Sequence, residues 1–220
     1  MINIEELSKE YKKPYKKVLD QISFQIREGE MVAIMGKSGA GKSTLLNILG
    51  CIDTATGGKY VFHDVDVTGL SKKELHQFRK KHFSYIFQNF ELLPEYSVYE
   101  NIEIPLLARN VKNRKTIILN ALEEVGIAEH RRKKIHKLSG GEQQRCAIAR
   151  AIVADTDVIL ADEPTGSLDE NTADEIMQLL KRLNDQGKTI IIVTHDRDIA
   201  AQCQRSIIIK DGKIWNGETV

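Results

Sequence analysis

The sequence is poor in several features that define special classes of protein. Its 220 residues include only 3 cysteines, 4 prolines and 1 tryptophan, and 32 Lys and Arg nearly balance 31 Asp and Glu. The cysteines, Cys51, Cys146 and Cys203, are far apart and form no C-x-x-C pair, so we expect neither a disulfide framework nor a zinc site. Because there is no basic excess, we also expect no nucleic-acid partner.

Long apolar runs are missing as well. The most apolar stretches, Val158 to Ala161 and Thr189 to Thr194, are far shorter than the ~20 residues of a membrane-spanning helix. The N-terminal segment carries acidic residues early and no long apolar stretch, which argues against a secretory signal. We therefore expect a chain of a reducing, cytosolic compartment that reaches a membrane only through another protein.

Short apolar or β-branched runs alternate with helix-like stretches, without internal repeats or low-complexity tracts. Near-continuous apolar runs are typical of strands that are buried on both faces of a parallel sheet. The predicted strands are Ile2–Leu7, Val18–Ile26, Met31–Met35, Lys59–His63, Phe83–Phe87, Val158–Ala161, Thr189–Thr194 and Ser206–Lys210. The predicted helices cover about 72–81, 98–109, 114–125, 142–154 and 170–186.

The middle third of the chain contains no convincing buried strand and predicts a helical insertion in an α/β protein. A length of 220 residues suits one domain. We expect this single domain, 1–220, to consist of a catalytic core from 1–88 and 154–220 and a helical subdomain over about 89–153.

The first chemical motif runs from Gly36 to Ser43 and matches G-x-x-x-x-G-K-[ST] between a predicted strand and a helix. In such a loop, backbone N–H groups hold phosphates, Lys42 reaches the β- and γ-phosphates and the Ser43 hydroxyl ligates Mg²⁺. A ligand-free glycine-rich turn is the alternative, which the strand and helix context disfavours. The predicted nucleotide-binding residues here are Gly36, Lys37, Ser38, Gly39, Ala40, Gly41, Lys42, Ser43 and Thr44.

The second motif is the carboxylate pair that ends the predicted strand Val158–Ala161. We expect this strand to lie beside the strand that feeds the Gly36 loop, which would bring Asp162 to the Mg²⁺ ion. Glu163, one residue further, would polarise the water that attacks the γ-phosphate. Without the Gly36 loop, a solvated acidic turn would be the better interpretation.

The third motif, Leu138 to Arg145, resembles the signature sequence of ATP-binding cassette (ABC) ATPases. Ser139, Gly140 and Gly141 stand at the start of a predicted helix, where backbone N–H groups favour an anion. An ordinary Ser/Gly helix cap is the alternative, which the eight-residue agreement between the two earlier motifs disfavours.

The resemblance covers nearly the whole chain. It implies a P-loop NTPase (RecA-like) α/β core with a mostly parallel sheet, an antiparallel β subdomain and an inserted α-helical subdomain. It also implies that Gln88 ligates Mg²⁺ and links that site to the helical insertion, and that His195 contacts the γ-phosphate. Asp169 would lie in the loop after the catalytic strand, and Tyr11 would stack on adenine, with Tyr15 as an open alternative for that role.

The same resemblance implies a head-to-tail pair, of two copies or of one copy and a close paralogue. ATP on the Gly36–Ser43 loop of one subunit would be capped by Ser139 and Gly141 of the other. A membrane permease would contact about Phe90–Val98, holding the chain at the cytoplasmic face of the plasma membrane as a peripheral subunit. The apolar residues of that segment, Phe90, Leu92, Leu93, Tyr96 and Val98, could instead pack the chain's own helical part.

Within the family, Pro164–Asp169 and the stretch 87–94 resemble ATPases of macrolide export, lipoprotein release and antimicrobial-peptide efflux. Glu91 and Ala40 depart mildly from that pattern. We expect a subunit that drives export or release of a peptide, lipoprotein or drug, with little room for a regulatory domain before Val220. The alternative is a cell-division-type ABC ATPase with a membrane partner that transports nothing.

Overall fold

The computed structural model of the chain describes residues 1–215. Residues 216–220, which the predicted core range 154–220 includes, lie outside the described part. The strands are β1 (Ile2–Lys12), β2 (Tyr15–Ile26), β3 (Met31–Met35), β4 (Gly57–Phe62), β5 (Val65–Asp66), β6 (Phe83–Ile86), β7 (Val158–Asp162), β8 (Thr189–Thr194), β9 (Arg205–Lys210) and β10 (Lys213–Ile214). The α-helices are α1 (Lys42–Leu49), α2 (Lys72–His82), α3 (Val98–Ala108), α4 (Arg114–Glu124), α5 (Gly140–Val153), α6 (Glu170–Asp185) and α7 (Arg197–Ala201).

The larger sheet has the order β10-β9-β3-β8-β7-β6. All neighbouring pairs are parallel except β9 and β10, which confirms the predicted mostly parallel sheet. Alternate residues of a strand face opposite sides, and on β8 Ile190 and Ile192 join one apolar cluster whereas Ile191 and Val193 join the other. Burial on both faces is therefore the reason for the near-continuous apolar runs.

The order of the strands corrects one expectation. The strand that carries Asp162 does not lie beside the strand that feeds the Gly36 loop, because β8 is hydrogen-bonded between them. The carboxyl ends of β3, β7 and β8 nevertheless lie at the same edge of the sheet, since the three strands are parallel. Side chains that follow these strands can therefore converge although β3 and β7 are not neighbours.

A second sheet, of order β2-β1-β4-β5, is antiparallel throughout and confirms the predicted antiparallel β part. Its inward side chains, among them Ile4, Leu19 and Phe62, pack with α1 and one face of the larger sheet in a single apolar cluster. β1 extends to Lys12, beyond its predicted end at Leu7, because it continues to pair with β2 past several register shifts. This extension carries Tyr11 to the sheet's end.

Between β6 and β7 the described residues form α3, α4, α5 and short 3-10 turns, with one isolated bridge, Ser97 to Lys134. α5 begins at Gly140 and not at the predicted residue 142. The reason is a capping box, in which Ser139 and Glu142 each satisfy a backbone N–H of the other. The limits of a separate helical subdomain, about 89–153, stay a prediction. Across residues 1–215 no helix combines the length and the apolarity that crossing a bilayer would need.

Candidate active site

α1 begins without a side-chain cap, at the end of the Gly36 loop. Its N-cap residue is Gly41, whose φ of 107° is readily adopted only by glycine, and no side chain accepts a hydrogen bond from the first turn. The first N–H groups of a helix have no partner inside the helix. Together with the helix dipole, they make this end of α1 a site for an anion such as a phosphate.

Lys42, the first residue of α1, folds its side chain back over the loop. Its Nζ donates hydrogen bonds to the carbonyl oxygens of Gly36 at 2.8 Å and Lys37 at 3.2 Å. An ammonium group has three donors, so one remains for a ligand in the cleft that Lys42 lines. The lysine thus holds the shape of the loop and places a positive charge where phosphates would lie.

The hydroxyl of Ser43 meets the carboxylate of Asp162 at this edge of the sheet. Ser43 Oγ donates to Asp162 Oδ1 over 3.5 Å. Burial, together with the neighbouring Glu163, raises the pKa of Asp162 above its usual value. A buried carboxylate of this kind is stabilised in its charged form by a cation, so the pair has the electrostatic character of a cation site.

The Ser43–Asp162 pair also fits Mg²⁺ by its spacing. Octahedral Mg²⁺ binds oxygens at ~2.1 Å, so its ligands lie about 3 to 4 Å apart, a range that includes the observed 3.5 Å. Within residues 1–215 no group of three His, Cys, Asp or Glu side chains could hold a metal ion. Magnesium sites in proteins commonly include substrate phosphates and water among their ligands, and the open cleft leaves room for both.

Glu163 and His195 form a second polar pair beside the first. Glu163 follows β7 in the left-handed region, with φ of 47°, and its N–H donates to the Val193 carbonyl at 2.9 Å. His195 follows β8, and its Nδ1 lies 2.8 Å from Glu163 Oε1. Since a carboxylate only accepts, Nδ1 is the donor in this pair, and the second oxygen of Glu163 is left for a water molecule.

These side chains line one open cleft of about 850 Å³, a volume within the usual range for ligand sites. Gln88 also lines it, two positions after the end of β6. The predicted residues that line the cleft are Tyr11, Lys37, Ser38, Gly39, Gly41, Lys42, Ser43, Thr44, Gln88, Asp162, Glu163 and His195. Lys16, Val18 and Val193 also line it and were not predicted, because nothing in their local sequence distinguishes them from ordinary strand residues.

The two aromatic candidates are placed differently. Tyr11 lines the cleft and is 40% exposed, whereas Tyr15, at the start of β2, is 69% exposed and does not line it. Of the predicted loop residues, Gly36 and Ala40 do not line the cleft either. Gly36 contributes its carbonyl oxygen to Lys42, and Ala40 is buried in the apolar cluster below α1.

The remaining predicted residues lie together elsewhere. Ser139, Gly140, Gly141 and Asp169 do not line the cleft. Asp169 caps α6 by accepting from the N–H and the hydroxyl of Thr172, and a Cβ on Gly141 would lie 2.6 Å from Thr172 Cγ2. The starts of α5 and α6 are thus in close contact, and the predicted phosphate residues of one chain fall into two separate groups.

The segment from Phe90 to Ser97, which we call the 90–97 segment, is hydrogen-bonded to side chains of two helices, α5 and α3. The guanidinium of Arg150 on α5 donates to the carbonyl oxygens of Phe90 at 2.9 Å and Glu91 at 2.5 Å. The fully buried Asn101 on α3 bonds both the N–H and the carbonyl of Leu93. Leu93 and Tyr96 remain 44% and 49% exposed, whereas Val98, part of the predicted permease contact, is fully buried in the chain's own core.

Comparison with known families and proteins identifies this arrangement. The family model described as ABC transporter matches residues 19–166. The chain is 48% identical over 200 residues to the macrolide export ATP-binding/permease protein MacB of Shigella flexneri, covering 90% of this chain and 31% of that protein. It is 41% identical to the uncharacterised ABC transporter ATP-binding protein YvrO of Bacillus subtilis, covering 97% and 95%. The chain therefore spans about a third of the length of the MacB relatives that it matches.

Among solved structures, the dimeric post-hydrolysis state of the ATP-binding cassette MJ0796, bound to ADP and Pi, is similar over 99% of this chain and 98% of that one, with a TM-score of 0.90 and 39% identity. The family model covers more than half of this chain, and the relatives exceed 40% identity over nearly all of it. The chain belongs to the ABC transporter family, and it is an ATP-binding cassette ATPase of the P-loop α/β fold, similar to the cassettes of macrolide exporters.

Proposed function

We propose that this chain binds Mg²⁺-ATP in the cleft at the carboxyl edge of the larger sheet and hydrolyses it to drive a membrane permease. The observation that carries the proposal is the convergence of Lys42, Ser43, Asp162, Glu163 and His195 on one cleft.

The reaction assigned to the cleft is the attack of water on the γ-phosphorus of ATP, which releases ADP and phosphate. Lys42 and the N-terminus of α1 would bind the phosphate oxygens, and Ser43 and Asp162 would hold Mg²⁺, which neutralises charge on those oxygens when bound. The free oxygen of Glu163 would accept a hydrogen bond from the water and orient it. His195, bonded to the other oxygen of Glu163, would fix that carboxylate and reach toward the γ-phosphate.

The remaining assignments follow the positions of the other predicted residues. Gln88 would bind Mg²⁺ from the end of β6 and transmit its presence to the 90–97 segment that follows. Ser139, Gly140, Gly141 and Asp169 do not line the cleft of their own chain, which supports a role toward the nucleotide of a second copy or a close paralogue. ATP would then lie between two subunits, and hydrolysis would weaken the pair.

The 90–97 segment supports contact with the permease. It presents the exposed side chains of Leu93 and Tyr96 and is held by Arg150, which belongs to the same helix that begins after Ser139. A displacement of the start of α5 would thus be transmitted along this helix, through Arg150, to the 90–97 segment. We place the chain at the cytoplasmic face of the plasma membrane, with a permease that exports or releases a peptide, a lipoprotein or a drug.

The substitution Glu163→Gln tests the catalytic core of this proposal. Loss of the base should lower the ATPase rate by about 10²- to 10⁴-fold, while Mg²⁺-ATP still binds and a dimer accumulates in size-exclusion chromatography. Glu28→Gln is a matched control, because it removes an exposed carboxylate at the opposite edge of the sheet, and it should leave both properties unchanged. An ATPase rate for Glu163→Gln near that of the unmodified chain would refute the assigned role.

A further inference from the structure

A side-chain network lies behind the rim of the cleft, next to Tyr11 and outside the phosphate site. The Tyr11 hydroxyl donates a 2.7 Å hydrogen bond to Asp53 Oδ2. Asp53 lies in the loop that follows α1, whereas Tyr11 lies in β1. The hydrogen bond therefore ties the aromatic ring to the helix that begins at the phosphate loop.

Asp53 is itself held firmly. Its Oδ1 accepts from Lys9 Nζ at 2.6 Å and from the N–H of Thr54 at 2.7 Å. Lys9 Nζ also donates to the Thr54 carbonyl at 2.6 Å. Since Oδ1 is engaged by these donors, Oδ2 is the oxygen that is left for Tyr11. The carboxylate thus fixes the phenol oxygen from one side, and the Thr44 side chain also bonds that oxygen.

Lys9 and Asp53 form an ion pair that balances the charge of the buried lysine. Lys9 is only 6% exposed, and a buried ammonium requires a partner. Burial alone would raise the pKa of Asp53, but the hydrogen bonds from Lys9 and Tyr11 outweigh it and lower that pKa below its usual value. Asp53 is thus an ionised acceptor at neutral pH and keeps its bond to the phenol.

Lys9 also covers one face of the Tyr11 ring, which leaves the other face for a ligand. Its Nζ lies over the Tyr11 ring, 4.8 Å from the centroid, a favourable cation–π distance. Tyr11 lines the cleft, and Lys9 and Asp53 do not. One face of the ring is therefore covered from the protein side, and the other face is open to the cleft.

We propose that Asp53 and Lys9 are positioning residues that hold the Tyr11 ring at the angle needed to stack on the base of the nucleotide, so that they set the base's share of the binding affinity. This inference rests on the proposed function, because it assumes that a nucleotide occupies the cleft. The simpler interpretation is an ion pair that only ties β1 to the loop after α1. The two differ in their effect on a ligand that lacks a base.

The test compares Mg²⁺-ATP with magnesium tripolyphosphate, which has the phosphates but no base, by isothermal titration calorimetry. Asp53→Asn should weaken ATP binding about three- to tenfold, the range that one oriented hydrogen bond contributes, and leave tripolyphosphate binding unchanged. Tyr11→Phe, which keeps the ring, the Lys9–Asp53 pair and hence the fold, should have the same selective effect. The double variant should be no weaker than either single one, since both remove the same bond.

Asp64→Asn, an exposed aspartate between β4 and β5, is the control and should change neither affinity. Equal weakening of both ligands in Asp53→Asn, or unchanged ATP affinity in Tyr11→Phe, would overturn the positioning role. Failure of the proposed function itself looks different, because the unmodified chain would then bind neither ligand.

Discussion

Two helices of this chain, α1 and α5, begin with glycine-bearing motifs that predict a phosphate site. Their N-termini differ in capping. α1 starts after Gly41 with no side-chain cap, so its first N–H groups are offered directly to the cleft. α5 starts after Ser139, which together with Glu142 forms a complete capping box. An open end depends on a ligand for its missing hydrogen bonds, whereas a capped end is stable before any ligand arrives.

The capped end is not blocked as an anion site. The Ser139 hydroxyl accepts from the Glu142 N–H at 3.3 Å. Its own proton faces the Glu142 carboxylate, whose pKa it lowers, and a hydroxyl can rotate to donate to another acceptor such as a phosphate. Within residues 1–215 the N–H groups of Gly140 and Gly141 have no acceptor and remain available as well. The two ends therefore suit different ligands. The uncapped end of α1 would bind the phosphates of ATP in the chain's own cleft. The capped end of α5, a preformed site, would bind a phosphate of ATP held by another subunit.

The largest expected effect comes from Ser139→Arg, which puts a bulky charged side chain at the preformed site. Loss of the cap costs only about 1 kcal/mol, so the chain should fold and bind ATP at α1 with unchanged affinity. Hydrolysis should fall at least about a hundredfold, the cost of losing transition-state hydrogen-bond donors. Steady-state ATPase assays and calorimetric titration with ATP would measure the two effects.

Mixing Ser139→Arg with Lys42→Ala decides whether Ser139 acts across subunits. Random pairing of the two variants gives half mixed dimers, each with one intact site of two, so about a quarter of the original rate should return. Each variant alone, at the same total concentration, is the control and should stay inactive. A mixture that remains as inactive as its components would show that Ser139 serves the nucleotide of its own chain.

A smaller effect is expected from Gly141→Ala, which tests how closely the starts of α5 and α6 must approach. The new Cβ would lie 2.6 Å from Thr172 Cγ2, and such overpacking costs about 1–3 kcal/mol, partly offset by the better helix propensity of alanine. We expect a net loss of about 1–2 kcal/mol in the free energy of unfolding, measured in urea.

Two further variants control this prediction. Thr172→Ser in the Gly141→Ala background removes the clashing methyl group but keeps the hydroxyl that bonds Asp169, so it should recover most of the loss. Gly140→Ala should cost little, because its Cβ would meet Leu168 at an ordinary 3.4 Å. Equal stability of Gly141→Ala and the unmodified chain would show that the two helices can move apart at no cost.

How far the sequence predicts this structure depends on how local each feature is. Lys42 and Ser43, or Asp162 and Glu163, are adjacent in the chain, so a motif suffices to predict their shared location. The order of the strands depends on pairing between distant segments, and the expectation that β7 lies beside β3 was wrong because β8 is placed between them.

The support of Tyr11 was missed for the same physical reason. Asp53 is 42 residues away in the sequence and follows no recognised motif, so only the packing of β1 against the loop after α1 brings the two together. The signature helix shows the opposite case, since the pattern Ser139 and Glu142 is itself a capping-box signal that predicts a start at Gly140. The same pattern, a serine with a glutamate three residues later, stands at the starts of α2 and α3 as well, and at Ser139 it gives the observed boundary of α5.

The smallest expected effect comes from Glu142→Gln and depends on pH. The hydrogen bond from the Ser139 N–H lowers the pKa of Glu142 below its ordinary value, and His130 and Lys133 act in the same direction. The unfolded chain then binds the proton more tightly, so the charge of Glu142 stabilises the fold above pH ~4.5 and this contribution is lost as the pH falls through the lowered pKa. Glu142→Gln should therefore lower the free energy of unfolding by about 0.5–1 kcal/mol at pH 7 and by progressively less below pH ~4.5.

Urea unfolding across this pH range measures the loss. Glu123→Gln, at an exposed residue near the end of α4, is the control and should not change the free energy of unfolding. A loss that does not depend on pH would mean that shape, and not the charge of Glu142, stabilises the start of α5.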